Sequence, residues 1–239
     1  MHLYKRDSTL PFGGALSLFE KHIAVQQGLE YIDAILSMEE NRMDAVYERY
    51  KNLDLAGGYI GIEPGETEGG YFCTPEGAYV IGWEGCDGIH YCFLPQYDEM
   101  VFAVNPENEP YAYPVAENFA DFLRMILACR YAGAVEQLVG QNWSPEMLCD
   151  FMNDPMNTVL PEQQEVLDAL QEKLGLAPME DPWAYAQNLK ANFDPSRIRF
   201  TEEYYDVLGL DMPDGRSDGE QRWAPADICV YDAECEETM

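Results

Sequence analysis

Between Asn52 and Leu123 the chain has no lysine or arginine, and thirteen acidic residues fall in the same stretch. They are Asp54, Glu63, Glu66, Glu68, Glu76, Glu84, Asp87, Asp98, Glu99, Glu107, Glu109, Glu117 and Asp121. The stretch is also dense in Tyr, Phe, Trp, Val and Ile at strand-like spacing, which predicts acids decorating a packed sheet rather than a disordered tail. A rigid surface of one sign speeds encounters with oppositely charged partners and repels nucleic acid and anionic membranes. The expected partner is a basic protein, with nucleic acid and membranes excluded.

The whole chain carries the same bias, with 14 basic and 44 acidic residues and a formal net charge of -30. Such self-repulsion opposes compaction, so a large apolar core must offset it. With 239 residues, 47% of them hydrophobic and 13% aromatic, the chain can build one. A competing explanation of the charge is solubility alone.

Cys73, Cys86, Cys92, Cys129, Cys149, Cys229 and Cys235 make an odd number. Pro11, Gly13 and Gly14 interrupt the segment after Lys5 and Arg6, and no apolar run reaches the length of a signal core or a membrane span. The expectation is a cytoplasmic chain with reduced thiols.

Apolar residues at three-to-four spacing predict N-terminal helices through Leu16, Phe19 and Ile23, through Leu29, Ile32, Ile35 and Leu36, and through Met43, Val46, Tyr47 and Tyr50. Short aromatic and β-branched runs at 59–62, 71–73, 78–83, 89–94 and 100–104 predict strands, antiparallel because the connections are too short for crossovers. Residues 84–88, with Gly85 and the turn dipeptide Asp87-Gly88, predict a hairpin tip. Three prolines predict a loop over 105–114, and Val115, Phe119, Phe122, Leu123, Ile126 and Leu127 a helix covering one sheet face. Beyond Ser144, helix-start signals recur at Ser144-Pro145, Leu160-Pro161, Asp181-Pro182 and Thr201-Glu202. The clearest helix runs from Pro161 to Leu174, with Gly175 as its stop, and 228–231 reads as a late strand. The fold class is α+β: a mainly antiparallel central sheet flanked by helices over 1–143, with a helical extension over 144–239 packed on or beside it.

The block Tyr79-Val80-Ile81-Gly82-Trp83-Glu84-Gly85-Cys86-Asp87-Gly88-Ile89-His90-Tyr91-Cys92-Phe93-Leu94, then Val101 to Val104, then Phe119-x-x-Phe122-Leu123, resembles the SUKH (Smi/Knr-like) superfamily. That group includes fungal cell-wall-synthesis regulators and many bacterial immunity proteins. The resemblance spans 57–131 and implies an α+β fold, no catalytic activity, and neutralisation of a toxin, often a nuclease. It carries fold more than partner, and it transfers no binding residues.

Other chemistry finds little support. His90 and Cys92 share a strand face and could form a ligand pair, but no further ligands stand at metal-site spacing, so a structural His beside core cysteines is expected. Acids are too numerous for any pair to stand out as a general acid and base, and no nucleophile elbow, P-loop or dinucleotide fingerprint is present. No catalytic residue, metal or cofactor is expected. The expected function is non-enzymatic: an acidic, immunity-type inhibitor of a basic, nuclease-like toxin. The alternatives are a housekeeping or regulatory interaction module of the same fold, and an enzyme of unrecognised type. Candidate partner contacts are Glu84 and Asp87 at the hairpin tip, Asp98 and Glu99 at the next turn, and Glu63, Glu66 and Glu68 in the preceding loop. Asp87 has a second reading, because an Asp before Gly often only shapes its turn.

Overall fold

The computed structural model describes residues 45–65 and 70–213, all within one compact unit, Asp44–Met239. Its centre is a four-stranded antiparallel meander of β1 (Tyr79–Trp83), β2 (His90–Phe93), β3 (Val101–Val104) and β4 (Ala112–Ala116), paired in chain order. Among the described residues the helices are α1 (Ala45–Lys51), α2 (Phe119–Cys129), α3 (Ala132–Gly140), α4 (Pro145–Asn153), α5 (Pro161–Leu174), α6 (Pro182–Asn192) and α7 (Glu202–Leu208). The architecture is α+β. Among the described residues no helix is long and apolar enough to cross a membrane.

Three of the expected strands form, and two do not. Residues 59–62 make a 3-10 turn, Gly57–Ile60, closed by Gly61 at φ 77° and by Ile62 N–H donating to Gly57 O at 2.9 Å. The glycines favour that turn, and buried Ile60 and Ile62 pin it, leaving only Glu63 to bridge Trp83 at the sheet edge. Residues 71–73 form a turn too, with Thr74 N–H donating to Tyr71 O at 2.8 Å, and Phe72 and Cys73 serve as core residues from it. The loop expected over 105–114 ends early, because Ala112–Ala116 is the fourth strand. Pro114 is tolerated there since β4 is an edge strand with only β3 as partner, so its missing N–H costs no ladder bond on the outer side. Val115 therefore belongs to β4, and the covering helix begins at Phe119, where the Asn118 side chain accepts from Asp121 N–H.

Both faces of the sheet are covered. On one, α2 presents fully buried Phe119, Phe122, Leu123 and Ile126, and the rings of Tyr47 and Tyr50 from α1 meet Phe119 edge-on at 4.9 and 5.3 Å. Each such side chain contributes on the order of 2 kcal/mol by leaving water. On the other, Cys92, Phe102, Val104 and Ala112 pack with Ile198, Phe193, Phe200 and Tyr204. The chain after Ser144 thus completes the sheet's own core. It is tied in by Tyr97 O–H donating to Asp194 O at 2.8 Å, Glu76 N–H donating to Arg199 O at 2.8 Å, and Glu117 N–H donating to the Tyr185 hydroxyl at 2.8 Å.

Double coverage corrects one expectation: the acids do not decorate the sheet. None of the four strands contains Asp or Glu, and β2, β3 and β4 are buried throughout. A carboxylate on either face would be stranded without water, so the charge is displaced into turns and loops. The helix starts behave as expected, with the Ser144 and Asp181 side chains accepting from Met147 and Ala184 N–H, and α5 ending at Gly175 with φ 72°. The helical runs expected before Ala45 and the late strand at 228–231 lie outside the described residues.

Candidate functional site

Consecutive turns of an antiparallel meander fall at opposite ends of the sheet. The β1–β2 turn therefore shares one end with the β3–β4 connection, and the β2–β3 connection lies at the other. This divides the seven acids singled out from sequence. Glu63, Glu84 and Asp87 stand at the first end, while exposed Asp98 and Glu99 stand at the opposite end. Glu66 and Glu68 lie outside the described residues.

The first end is built around a tight hairpin. Glu84 N–H donates to Ile89 O at 2.9 Å, and Gly85, Asp87 and Gly88 take φ of 98°, 52° and 72°. Asp87 does shape its turn, and its side chain is exposed besides. Gly85 lies close to Glu63, a Cβ there falling 3.3 Å from Glu63 Oε2. Residual desolvation, then Glu84, Asp87 and Glu107, push the Cys86 thiol up, which puts exposed Glu107 in the same group although sequence did not select it.

Glu84 is not the open tip acid expected from sequence. Its carboxylate turns inward, with Oε2 enclosed and, among the described residues, without a hydrogen-bond partner, and it rests so close to α3 that a Cβ on Gly133 would fall 2.1 Å from Oε1. Burial, then the carboxylates of Glu136 and Asp87, raise it to about 7. Behind it lies Glu136 of α3, 1% exposed, whose Oε1 accepts from Asn105 Nδ2 at 2.8 Å and from the Tyr113 hydroxyl. Tyr91 is fully buried against the same two carboxylates, and among the described residues its hydroxyl has no partner. Tyr131 closes one side, its hydroxyl donating to Glu84 O at 3.2 Å, and burial, then Glu84, raise it to about 12.

The sheet register explains why these groups meet. Tyr91, Ala103 and Tyr113 are direct cross-strand partners, so the two tyrosines point to the α3 side with the small Ala103 between them. On α3, Gly133, Glu136 and Gly140 recur at helical spacing on the face toward the sheet, and a Cβ at Gly140 would fall 2.4 Å from the Tyr113 hydroxyl. Glu136, Tyr91, Tyr113 and Asn105 escape a reading of the sequence. The available signal is a lone carboxylate between two glycines in the otherwise uncharged run Ala132–Gly140.

Two carboxylates in contrasting surroundings are what acid–base chemistry requires. Here, though, Glu136 is 1% exposed and Tyr91 0%, so a substrate bond has no route between both carboxylates. His90 is equally committed: Nδ1 bonds Gly88 O at 2.8 Å, Nε2 bonds Thr74 Oγ1 at 3.1 Å, and the ring lies 4.5 Å from Trp83. With burial lowering its pKa and pushing the Cys92 thiol up, the two are core residues and not a ligand pair. Among the described residues no three His, Cys, Asp or Glu side chains are placed to share a metal ion. No family model, curated protein or solved structure matches the chain.

Proposed function

We propose that this protein is a non-enzymatic binding module that captures a basic protein through the acidic end of its sheet. The observation that carries this is the gathering of exposed Asp87 and Glu107 around Cys86, with exposed Glu63 beside Gly85 of the same hairpin, in a stretch from Asn52 to Leu123 that has no lysine or arginine to neutralise them. Held on a hairpin and a rigid sheet, these charges steer a cationic partner without the cost of ordering a loop on contact. The resemblance to SUKH proteins narrows the partner to a nuclease-like toxin domain, with the module acting as an immunity-type inhibitor in the cytoplasm. Inhibition of that kind needs only coverage of the toxin's basic active face.

The test is capture of partners at low salt, then association kinetics across a salt series. Affinity is expected to fall steeply with ionic strength, and the triple variant Glu63→Gln, Asp87→Asn, Glu107→Gln to slow association about tenfold with little change in dissociation. A tight basic partner indifferent to salt and to the triple variant would overturn the proposal. The position of Asp98 and Glu99 at the opposite end favours one second reading, a protein-interaction module of the same fold whose charge serves solubility. An isolated locus with no adjacent toxin gene would support it.

A further inference from the structure

Resting on that proposal, we infer that the partner's anchor is one arginine or lysine side chain whose cationic head seats against Glu84. Three observations converge on that residue. First, negative charge deepens inward at this end, from exposed Glu63, Asp87 and Glu107, through half-buried Glu84, to enclosed Glu136. Second, among the described residues none of the titratable groups facing Glu84 is basic: they are Glu136 on α3, Tyr91 on β2, Tyr131 between α2 and α3, and Cys86 and Asp87 in the turn itself. Third, among the described residues two enclosed oxygens, Glu84 Oε2 and the hydroxyl of the fully buried Tyr91, which feels the Glu84 charge, have no hydrogen-bond partner.

Buried polar atoms are almost always partnered, so the unpaired carboxylate oxygen of half-buried Glu84, the reachable member of this acidic centre, is the complement of a donor-rich cation. An ammonium or guanidinium group supplies several N–H donors and one positive charge, and a carboxylate paired with guanidinium is among the stronger charge-assisted contacts. A metal ion fits less well, since among the described residues no three His, Cys, Asp or Glu side chains are placed to share one, and Glu136 Oε1 is already taken by Asn105 and Tyr113. The outer acids would then set the rate of encounter and Glu84 the lifetime of the complex. Seating a cation on Glu84 favours its ionised form, so binding near neutral pH must release a proton.

A hexa-arginine peptide serves as the probe, at about pH 6.5, where a carboxyl titrating as Glu84 does is mainly protonated when free. The side-chain carboxyl carbon of Glu84 is monitored by NMR, and proton release by calorimetry in two buffers of different ionisation enthalpy. The expected result is a shift of the Glu84 resonance to its ionised position, measurable proton release, and about tenfold weaker binding by Glu84→Gln. Salt-sensitive peptide binding with Glu84 unmoved and Glu84→Gln equal to wild type would overturn the inference while leaving the acidic surface in place. Absence of binding even at low salt would remove the acidic-surface proposal itself, and this inference with it. Gln fills the same volume without the like charge, and the wild-type NMR measurement decides the matter even if that variant folds poorly.

Discussion

Tyr113 donates its phenolic hydrogen to Oε1 of Glu136, tying the last strand of the sheet to the helix lying over it. Tyr91 occupies the same register row across Ala103, yet its hydroxyl has no partner among the described residues. Two tyrosines in matched backbone positions therefore make opposite contributions. Tyr113→Phe removes a donor from an enclosed carboxylate and is expected to cost about 1–3 kcal/mol of stability. Tyr91→Phe removes only an unpaired hydroxyl and is expected to be neutral or slightly stabilising. Urea denaturation of both variants decides this, and equal losses would show that the two hydroxyls are not distinguished as the geometry has them.

Glu84 makes stability depend on pH in a stated direction. Its folded-state value is raised by burial, then by Glu136 and Asp87, to about 7, above an unfolded value of about 4.3. The folded state therefore holds the proton more tightly than the unfolded chain. The contribution is fully present below the unfolded value and is lost as pH rises through about 7. Glu84→Gln should remove that component, so the stability difference between variant and wild type grows on going from pH 5 to about pH 8. A difference that stays constant over this range would show that Glu84 titrates normally.

Gly133→Ala sets two effects against each other. Alanine is the better helix former by up to about 1 kcal/mol. Its Cβ, however, would fall 2.1 Å from Glu84 Oε1 and 2.9 Å from Tyr131 Cε1. The flexible carboxylate is the easier group to move, so the expected outcome is expulsion of Glu84 towards solvent. The carboxyl carbon of Glu84 should then titrate near the ordinary glutamate range, with the fold retained. A Glu84 titration unchanged by the added methyl would mean that the carboxylate does not rest on this helix.

Cys86 and Cys149 are exposed thiols, whereas Cys73, Cys92 and Cys129 are buried. Desolvation, then the carboxylates of Glu84, Asp87 and Glu107, push Cys86 up and lower its thiolate fraction at neutral pH. Alkylation tracked residue by residue in a mass spectrometer should find Cys86 slow for an exposed cysteine. Its rate should rise with added salt and in Asp87→Asn, because screening or removing negative charge favours the thiolate. A rate indifferent to both would mean that these acids do not surround it.

Much of the fold is local in origin and legible along the chain. The strands Tyr79–Trp83, His90–Phe93 and Val101–Val104 and the helix Pro161–Leu174 come from side-chain periodicity, Asp-Gly turn chemistry and proline and glycine punctuation, which act within a few residues. Expectation and structure part where a tertiary neighbour overrides the local signal. Pro114 reads as a loop residue until its strand is known to be an edge, and the apolar pair Ile60 and Ile62 reads as a strand until the buried turn beneath it is seen.

Residue order and local chemistry dictate that one stretch carries negative charge with nothing to cancel it, and that a short-turned antiparallel sheet forms there. Where that charge lies was settled by long-range packing. Covering the sheet on both faces forced the acids into the turns, and the alternation of those turns sent Asp98 and Glu99 away from Asp87. The pairing of Glu84 with Glu136 joins residues far apart in the chain through cross-strand register and a close helix approach over Gly133, and its one local trace is the pair of glycines flanking Glu136.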